Sequence, residues 1–182
     1  MKVIGIVGMP GSGKGEFSAV CTELGIPVVV MGDVIRAEVK KAGLPPDDSS
    51  MGTIARRLRE EYGMAAIAKV CIPVIESQES GTVLVDGIRG DAEVLEFSRY
   101  FSDFTLIAIE SPVETRFARL KARARSDDLT NISELTSRDT RESSFGLRAA
   151  MDLASIRVFN TGSLEEYRIR VRETLMQISG VL

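Results

Sequence analysis

The chain has 182 residues, a length that suits one domain with insertions. Its 23 Lys and Arg residues and 26 Asp and Glu residues give a net charge of −3, which argues against a protein that neutralises nucleic-acid phosphates over its whole surface. The absence of histidine excludes Ser-His-Asp and Cys-His catalysis and every metal site built on imidazole.

Short apolar runs typical of buried parallel strands recur along the chain, and helical patterns lie between them. This alternation is what right-handed βαβ crossovers require. We therefore predict an α/β fold whose five-stranded parallel sheet carries helices on both faces. The predicted strands are 2–7, 26–31, 82–86, 104–109 and 155–159.

Three helix starts carry a Ser or Asn followed three residues later by Glu, the pattern of a capping box. The last of these helices is predicted to run from Leu164 to about Ser179. The three predicted capping residues are Ser111, Asn131 and Ser163.

Two segments interrupt the alternation. Residues 32–80 contain about three helical patterns, and residues 125–150 are polar and rich in Arg, Asp and Glu. We expect a helical acceptor-binding insertion and a short lid at the carboxyl ends of the strands, where α/β sheets bind ligands. The rest of a single domain over 1–182 forms the core, namely residues 1–31, 81–124 and 151–182.

The two cysteines, Cys21 and Cys71, lie inside helical patterns and form no CxxC pair. We expect buried, reduced thiols in a cytoplasmic protein, although one disulfide between them is formally possible. No apolar run reaches the 18 residues of a membrane span, so we expect no membrane partner.

A phosphate-binding loop is the strongest functional signal. Residues 8–14 match GxxxxGK between a predicted strand and a helix predicted over about 13–24, the context that the motif requires. Glycines let backbone N–H groups turn inward, the helix N-terminus adds positive potential, and Lys14 reaches the β/γ phosphates. We therefore predict a P-loop NTPase fold that binds ATP. The residues expected to cradle the nucleotide are Gly8, Met9, Pro10, Gly11, Ser12, Gly13, Lys14, Gly15 and Glu16.

The residue after Lys14 is Gly15, where many phosphate loops carry a Ser or Thr that binds Mg²⁺ directly. A carboxylate elsewhere must then orient the metal. Asp86 ends a predicted central strand and is our candidate for Mg²⁺. The alternative is that Asp86 only caps the helix that follows.

Seventeen arginines against six lysines favour bidentate phosphate recognition. One helical pattern carries five cationic residues and no acidic residue between them. A bound polyanion would relieve the repulsion between these charges. The alternative is that they form a basic helix face exposed to solvent. In the predicted lid, Arg138 and Arg141 share a helix face and would close over phosphates, unless they belong to an ion-paired surface helix. The five cations of the first pattern are Arg116, Arg119, Lys121, Arg123 and Arg125.

Several sequence motifs, taken in order along the chain, resemble motifs of the adenylate-kinase-like nucleotide kinases. GMPGSGKG resembles the phosphate loop of that family, and MGDVIR resembles the segment that binds the acceptor monophosphate. VDGIR resembles a second acceptor segment with one residue missing, and SPVETRFARLKARARSDD resembles the donor-binding helix and lid. The resemblance implies Mg²⁺- and ATP-dependent transfer to a nucleotide-like acceptor.

The resemblance also assigns roles to single residues. Arg119 would pack on the donor adenine, and Arg123, Arg125 and Arg138 would act with Lys14 on the transferring phosphoryl group. The acceptor would be bound by Asp33, Arg36, Gly87 and Arg89.

Over nearly the whole chain, the phrases MGDVIR, LREEYG, RDTRESSFG and VFNTGSLEEY resemble a largely archaeal family of adenylate-kinase-related P-loop proteins. The last phrase also resembles dephospho-coenzyme-A kinases, in which the residue at the position of Asn160 would contact the adenine. A simple turn before the last helix is the alternative for Asn160.

Two residues depart from the adenylate kinase pattern: Glu16 replaces a Thr, and Met31 replaces a Thr before the acceptor segment. We therefore keep three hypotheses: a nucleotide kinase acting on a nucleoside monophosphate, a slow NTPase or nucleotide-gated switch, and a coenzyme kinase. The preferred hypothesis implies small-molecule nucleotides as partners and leaves any protein partner open.

Overall fold

A five-stranded parallel sheet forms the centre of the computed structural model, which describes residues 1–123 and 131–179. The strand order is β2-β3-β1-β4-β5, and every neighbouring pair is parallel. The predicted fold class is confirmed, and each strand lies within two residues of its prediction. The strands are β1 (Lys2–Val7), β2 (Val28–Val30), β3 (Thr82–Asp86), β4 (Phe104–Glu110) and β5 (Ile156–Phe159).

The strand β2 is shorter than the predicted run over 26–31. The amide of Ile26 bonds to the Cys21 carbonyl (2.9 Å) and closes the preceding helix. Pro27 has no N–H to donate to the sheet, although its carbonyl accepts from Leu84 (2.9 Å). Met31 already begins the next helix.

Helices cover both faces of the sheet. Three of them, α2 to α4, lie between β2 and β3, as predicted for residues 32–80. Within the described residues, the helices are α1 (Lys14–Glu23), α2 (Met31–Lys41), α3 (Asp48–Tyr62), α4 (Ala66–Glu76), α5 (Asp91–Tyr100), α6 (Val113–Arg123), α7 (Ile132–Ser144), α8 (Leu147–Asp152) and α9 (Leu164–Ser179).

The core has two layers because successive side chains of a strand point to opposite faces. On β1, Val3 and Val7 face the layer built with α2 to α5 and α8. Ile4 and Ile6 face the layer built with α1 and α9. The continuous apolar runs in the sequence therefore reflect strands that are buried on both faces.

Two of the predicted helix caps are present. Asn131 Oδ1 accepts a hydrogen bond from the Glu134 amide (3.0 Å), and Ser163 Oγ accepts one from the Glu166 amide (3.2 Å). At the third predicted start, Ser111 Oγ donates to the carbonyl of Asn160 (2.9 Å) and so joins the end of β4 to the end of β5.

Helix α8 begins inside the segment predicted to form the lid. Its Leu147, Ala150 and Met151 are buried in the core layer that also contains α5. The polar helix α7 is the described part of that segment that lies over the sheet end.

Both cysteines are free and fully buried. Burial raises the pKa of the Cys21 and Cys71 thiols to about 12. Among residues 1–123 and 131–179, no helix combines the length and the apolar character that crossing a bilayer requires.

Candidate functional site

The phosphate loop, residues 8–15, connects β1 to α1 as the sequence predicts. Gly11 (φ 78°) and Gly13 (φ 112°) adopt left-handed backbone angles that favour glycine. A Cβ at Gly13 would collide with Asn160 Nδ2 and press on the ring of Tyr167. Gly13 caps α1 without a side-chain hydrogen bond, so the first amides of that helix are available to an anion.

Lys14 lies across this loop. Its Nζ donates to the carbonyl oxygens of Gly8 (2.6 Å) and Met9 (3.4 Å). Burial lowers the pKa of Lys14, the charges of Asp86 and Glu142 oppose that shift, and Arg89 and Arg116 lower it further. The two hydrogen bonds place the Lys14 ammonium at the phosphate loop, where it can bind an anion.

Ser12 has a buried hydroxyl group that lies in the phosphate loop and lacks a hydrogen-bond partner in the described part of the chain. This residue is 1% exposed, and its Oγ has no hydrogen-bond partner among the described residues. A buried hydroxyl without a partner is unfavourable, so a phosphate oxygen at this loop would satisfy a group that the protein leaves open.

Asp86 ends β3 beside α1. Ser18, one helical turn after Lys14, donates its Oγ to Asp86 Oδ2 (3.1 Å). This contact fits a site for hydrated Mg²⁺, which prefers oxygen ligands from one or two carboxylates, waters and phosphates. Sequence reasoning missed Ser18, although its spacing of four residues from Lys14 places both on one helix face.

Glu16 is held by α9. Its carboxylate pairs with Arg168, which also pairs with Glu23. Arg172 binds Glu23 as well (2.8 Å). The sequence places Glu16 at the phosphate loop, and the structure adds a cation from the last helix that neutralises it.

Arg116 forms the most buried ionic contact of the site. It is 4% exposed, and its guanidinium binds Asp139 of α7 through Nη1 (3.0 Å) and Nη2 (2.5 Å). Its Nη1 also donates to the carbonyl of Pro10 in the phosphate loop (3.0 Å). Arg116 therefore ties α7 to this loop, a role that its place in a run of five cations did not reveal.

Arg119 and Asn160 support the other side of the loop. Asn160 Nδ2 donates to the Ser12 carbonyl (2.9 Å), and its Oδ1 accepts from Arg119 Nη2 (2.8 Å). Arg119 Nη1 also donates to Ser111 Oγ (3.1 Å). The amide of Asn160 thus binds protein groups on both sides, and it fixes the guanidinium plane of Arg119.

The residues predicted to bind an acceptor follow the carboxyl ends of β2 and β3. Arg36 pairs with Asp33 one turn before it in α2, and both side chains are exposed. Arg89, also exposed, has its Nη1 3.7 Å from Glu142 Oε1 of α7. Gly87 (φ 103°) makes the turn after β3 that brings this segment against α2.

A cavity of about 340 Å³ opens between these segments and α3. We call it the inner cavity. It adjoins a wider outer cavity of about 830 Å³ toward α7, and Gly52, Arg59, Arg89 and Glu93 line both. The buried Glu93 and the neighbouring Arg59 were not singled out from the sequence, because neither belongs to a recognisable motif.

Of the three arginines predicted to act with Lys14 on the transferring phosphoryl group, one has a described side chain. Arg138 is half-buried on α7, next to Asp139. Arg123 is the last residue of α6, and its side chain is outside the described part of the chain. Arg125 lies outside the described residues altogether.

Comparison with known proteins identifies the family. Residues 7–136 match a family model described as an AAA domain. The chain is 55% identical to a UPF0200 protein of Methanoculleus marisnigri over 180 residues, which cover 99% of this chain and 98% of that protein. The chain belongs to the UPF0200 family. A UPF0200 protein of Methanoregula boonei is also 55% identical, over 96% of both chains.

Solved structures with the same fold include one kinase. The shikimate kinase of Bacteroides thetaiotaomicron superimposes with a TM-score of 0.64 at 16% identity, over 96% of this chain and 98% of that one. TT1252 of Thermus thermophilus gives a TM-score of 0.65 at 19% identity, over 98% of both chains. This UPF0200 member is therefore a P-loop protein with a kinase-like fold.

Proposed function

We propose that the protein is a Mg²⁺-dependent phosphotransferase that moves the γ-phosphoryl group of ATP to a nucleoside monophosphate. The observation that carries this proposal is a phosphate loop that holds Lys14 and a buried Ser12 hydroxyl without a partner among the described residues, beside a separate cavity that Arg89 lines. In the reaction, an acceptor phosphate oxygen forms a bond to the γ-phosphorus as the bond from that phosphorus to the β,γ-bridging oxygen breaks. The products are ADP and a nucleoside diphosphate, and we place the reaction in the cytoplasm, where ATP is made and used.

The donor would occupy the phosphate loop. The open amides of the first turn of α1 and the Lys14 ammonium would bind the β and γ phosphates. Arg119, held by Asn160 and Ser111, offers a fixed guanidinium plane on which the adenine can stack.

Magnesium would be held by Asp86, with the Ser18 hydroxyl fixing the carboxylate. A bound Mg²⁺ ion would neutralise negative charge on the phosphates of the nucleotide. Gly15 supplies no hydroxyl, so we assign the metal-binding role of the usual Ser or Thr to Asp86, with Ser18 orienting its carboxylate.

The acceptor would lie in the inner cavity with its phosphate toward Arg36 and Arg89. Both guanidinium groups are exposed and pair with carboxylates, Asp33 and Glu142. A phosphate dianion would compete for both, because charge-assisted hydrogen bonds to Arg are favoured by bidentate geometry. Arg123, Arg125 and Arg138 would add positive charge around the transferring group.

The test is a steady-state analysis of Arg36→Ala and Arg89→Ala. We expect each change to raise the KM of the acceptor by about tenfold or more, because a charge-assisted hydrogen bond contributes about 1.5–3 kcal/mol, and to leave the KM of ATP nearly unchanged. Arg99→Ala, on the exposed end of α5, is the matched control. An unchanged acceptor KM in both variants would contradict the assignment.

A slow NTPase or nucleotide-gated switch is the second candidate. The observation in its favour is that Gly15 leaves the position after Lys14 without a hydroxyl. ADP formation that rises well above basal hydrolysis when an acceptor is added would exclude it.

A further inference from the structure

The guanidinium group of Arg116 connects three segments of the chain. Arg116 is 4% exposed, and it binds the Asp139 carboxylate of α7 through Nη1 (3.0 Å) and Nη2 (2.5 Å). Its Nε donates to the carbonyl of Ser111 (3.2 Å), which lies between β4 and α6. Its Nη1 also donates to the carbonyl of Pro10 (3.0 Å). One buried side chain therefore links α7 to the loop that is expected to hold the nucleotide.

The bond to Pro10 fixes the direction of one peptide group in the phosphate loop. A peptide group is planar, and in its trans form the C=O and the N–H point in opposite directions. The Pro10–Gly11 peptide is trans, so its N–H points away from the Arg116 guanidinium. Arg116 therefore sets the direction of the Gly11 amide, one of the N–H groups that such a loop offers to phosphate oxygens.

Gly11 also packs closely against α6. A Cβ at Gly11 would lie 3.1 Å from the carbonyl oxygen of Arg116 and 3.0 Å from Cγ of Leu120. Because there is little free space between the loop and the helix, a shift of Arg116 would displace the backbone that carries the Gly11 amide.

Packing alone does not explain a buried ion pair at this place. Removing two charges from water is costly, and apolar residues of similar volume often stabilise a fold at least as well. A guanidinium offers what an apolar side chain lacks, a planar fork that binds a carboxylate at two points. Asp139 binds both Nη groups and so fixes the plane in which Nη1 reaches Pro10.

We propose that Arg116 and Asp139 are positioning residues that hold the Pro10–Gly11 peptide in the orientation that binds nucleotide phosphates. Arg116 acts on the loop through Pro10, and Asp139 acts through Arg116. The inference goes beyond the proposed function, because it requires nucleotide binding at the loop and no transfer to an acceptor.

The test is the double variant Arg116→Met with Asp139→Asn, which removes both charges together and leaves neither unpaired. The probe is β,γ-imido-ATP, which cannot transfer its γ-phosphoryl group. We expect its Kd to rise by about tenfold, the effect of about one lost hydrogen bond, while the unfolding midpoint without nucleotide stays within about 3 °C of the wild-type value. Arg157→Met with Glu110→Gln is the matched control, since it removes an ion pair that joins β5 to β4 (2.5 Å), and it should keep the wild-type Kd.

Arg116→Lys distinguishes position from charge. Lysine keeps the positive charge beside Asp139 but lacks the planar fork, so binding of β,γ-imido-ATP should remain weaker than in the wild-type protein. The loss in the double variant should be equal at low and high salt, because salt does not screen a misdirected amide. Wild-type affinity in Arg116→Lys, or a loss that disappears at high salt, would overturn the positioning role.

Hydrogen exchange in the wild-type protein tests the same contact without any variant. Binding of β,γ-imido-ATP should slow the exchange of the Gly11 amide and also of the α7 amides around Asp139, because two ends of one contact stabilise each other. Slower exchange at Gly11 with no change in α7 would overturn the inference, whether or not the double variant folds.

The outcomes separate this inference from the proposed function. Weaker nucleotide binding in the stably folded double variant, with no transfer to any acceptor by the wild-type protein, supports the inference while the proposed function fails. Transfer by the wild-type protein, with unchanged affinity in the double variant, overturns the inference and leaves the proposed function standing.

Discussion

At the scale of single residues, we propose that Asp86, oriented by Ser18, takes the place of the metal-binding hydroxyl that is missing after Lys14. Gly15 cannot bind a metal through its side chain, and Ser18 lies one helical turn further along α1 with its Oγ on Asp86 (3.1 Å). A partner that orients a metal-binding carboxylate commonly changes metal affinity or activity by about 10–100-fold when it is removed.

Ser18→Ala should therefore raise the Mg²⁺ concentration needed for half-maximal ATP binding by about tenfold. The measurement is a Mg²⁺ titration of ATP binding without an acceptor, so that it does not depend on turnover. Thr22→Ala is the matched control, because Thr22 is one turn further along the same helix and its exposed hydroxyl donates to the Ser18 carbonyl (3.1 Å).

A similar Mg²⁺ dependence in Ser18→Ala, Thr22→Ala and the wild-type protein would contradict this role. Loss of ATP binding that is equal with and without Mg²⁺ would also contradict it, since that result indicates damage to the phosphate loop itself.

The same residues indicate how far a site can be predicted from sequence. Lys14 and Asp86 can be predicted as site residues because each stands at a fixed place in a local motif. Asn160 binds the Ser12 carbonyl across 148 positions of sequence, and Glu16 pairs with Arg168 across 152. Such contacts depend on how distant helices pack, which no local pattern specifies.

At the scale of elements, α9 carries an arginine that pairs with the negative charge of Glu16 next to the phosphate loop. A carboxylate in the first turn of α1 suits the helix dipole, yet it would repel the phosphates of a nucleotide. Arg168 resolves this conflict because it reaches from α9 to Glu16 and also to Glu23. Helix α9 therefore has an electrostatic role in addition to covering the sheet.

Arg168→Ala should weaken ATP binding by about three- to tenfold, because it leaves Glu16 uncompensated at a partly exposed position. Isothermal titration at two salt concentrations measures this, and the defect should shrink at high salt as the repulsion is screened. Arg172→Ala is the control, since Arg172 pairs with Glu23 from the same helix face.

The double variant Arg168→Ala with Glu16→Gln should recover wild-type ATP affinity. Equal losses in Arg168→Ala and Arg172→Ala, or a double variant that remains as weak as Arg168→Ala, would indicate that α9 acts through packing and not through charge.

The boundaries of helices and strands could be predicted where residues close in sequence form the hydrogen bonds that begin or end the element. The last helix runs over Leu164–Ser179 as predicted, because Ser163 and Glu166 form its cap. The end of β2 was less predictable, since Val28–Val30 and Met31 form one apolar run although only the first three residues belong to the strand. Hydrophobic character alone does not distinguish a strand end from a buried helix start.

At the scale of the whole molecule, one helix links the two halves of the site. Asp139 of α7 binds Arg116 at the phosphate loop, and Glu142, one turn later, lies near Arg89 at the inner cavity. An acceptor phosphate would therefore compete with a carboxylate of the helix that also holds Arg116. The parallel sheet and its three-helix insertion followed from the alternation of patterns in the sequence, whereas this bridge between distant arginines did not.

The measurement that tests the central claim most directly is phosphoryl transfer from γ-labelled ATP, with Mg²⁺, to a panel of nucleoside monophosphates and dephospho-coenzyme A. The products are separated, so that transfer is distinguished from hydrolysis. We predict that the label appears on a nucleoside monophosphate and that Lys14→Ala lowers the rate on the order of 100-fold or more. Hydrolysis that is indifferent to every acceptor, or transfer that is unchanged in Lys14→Ala, would contradict the account.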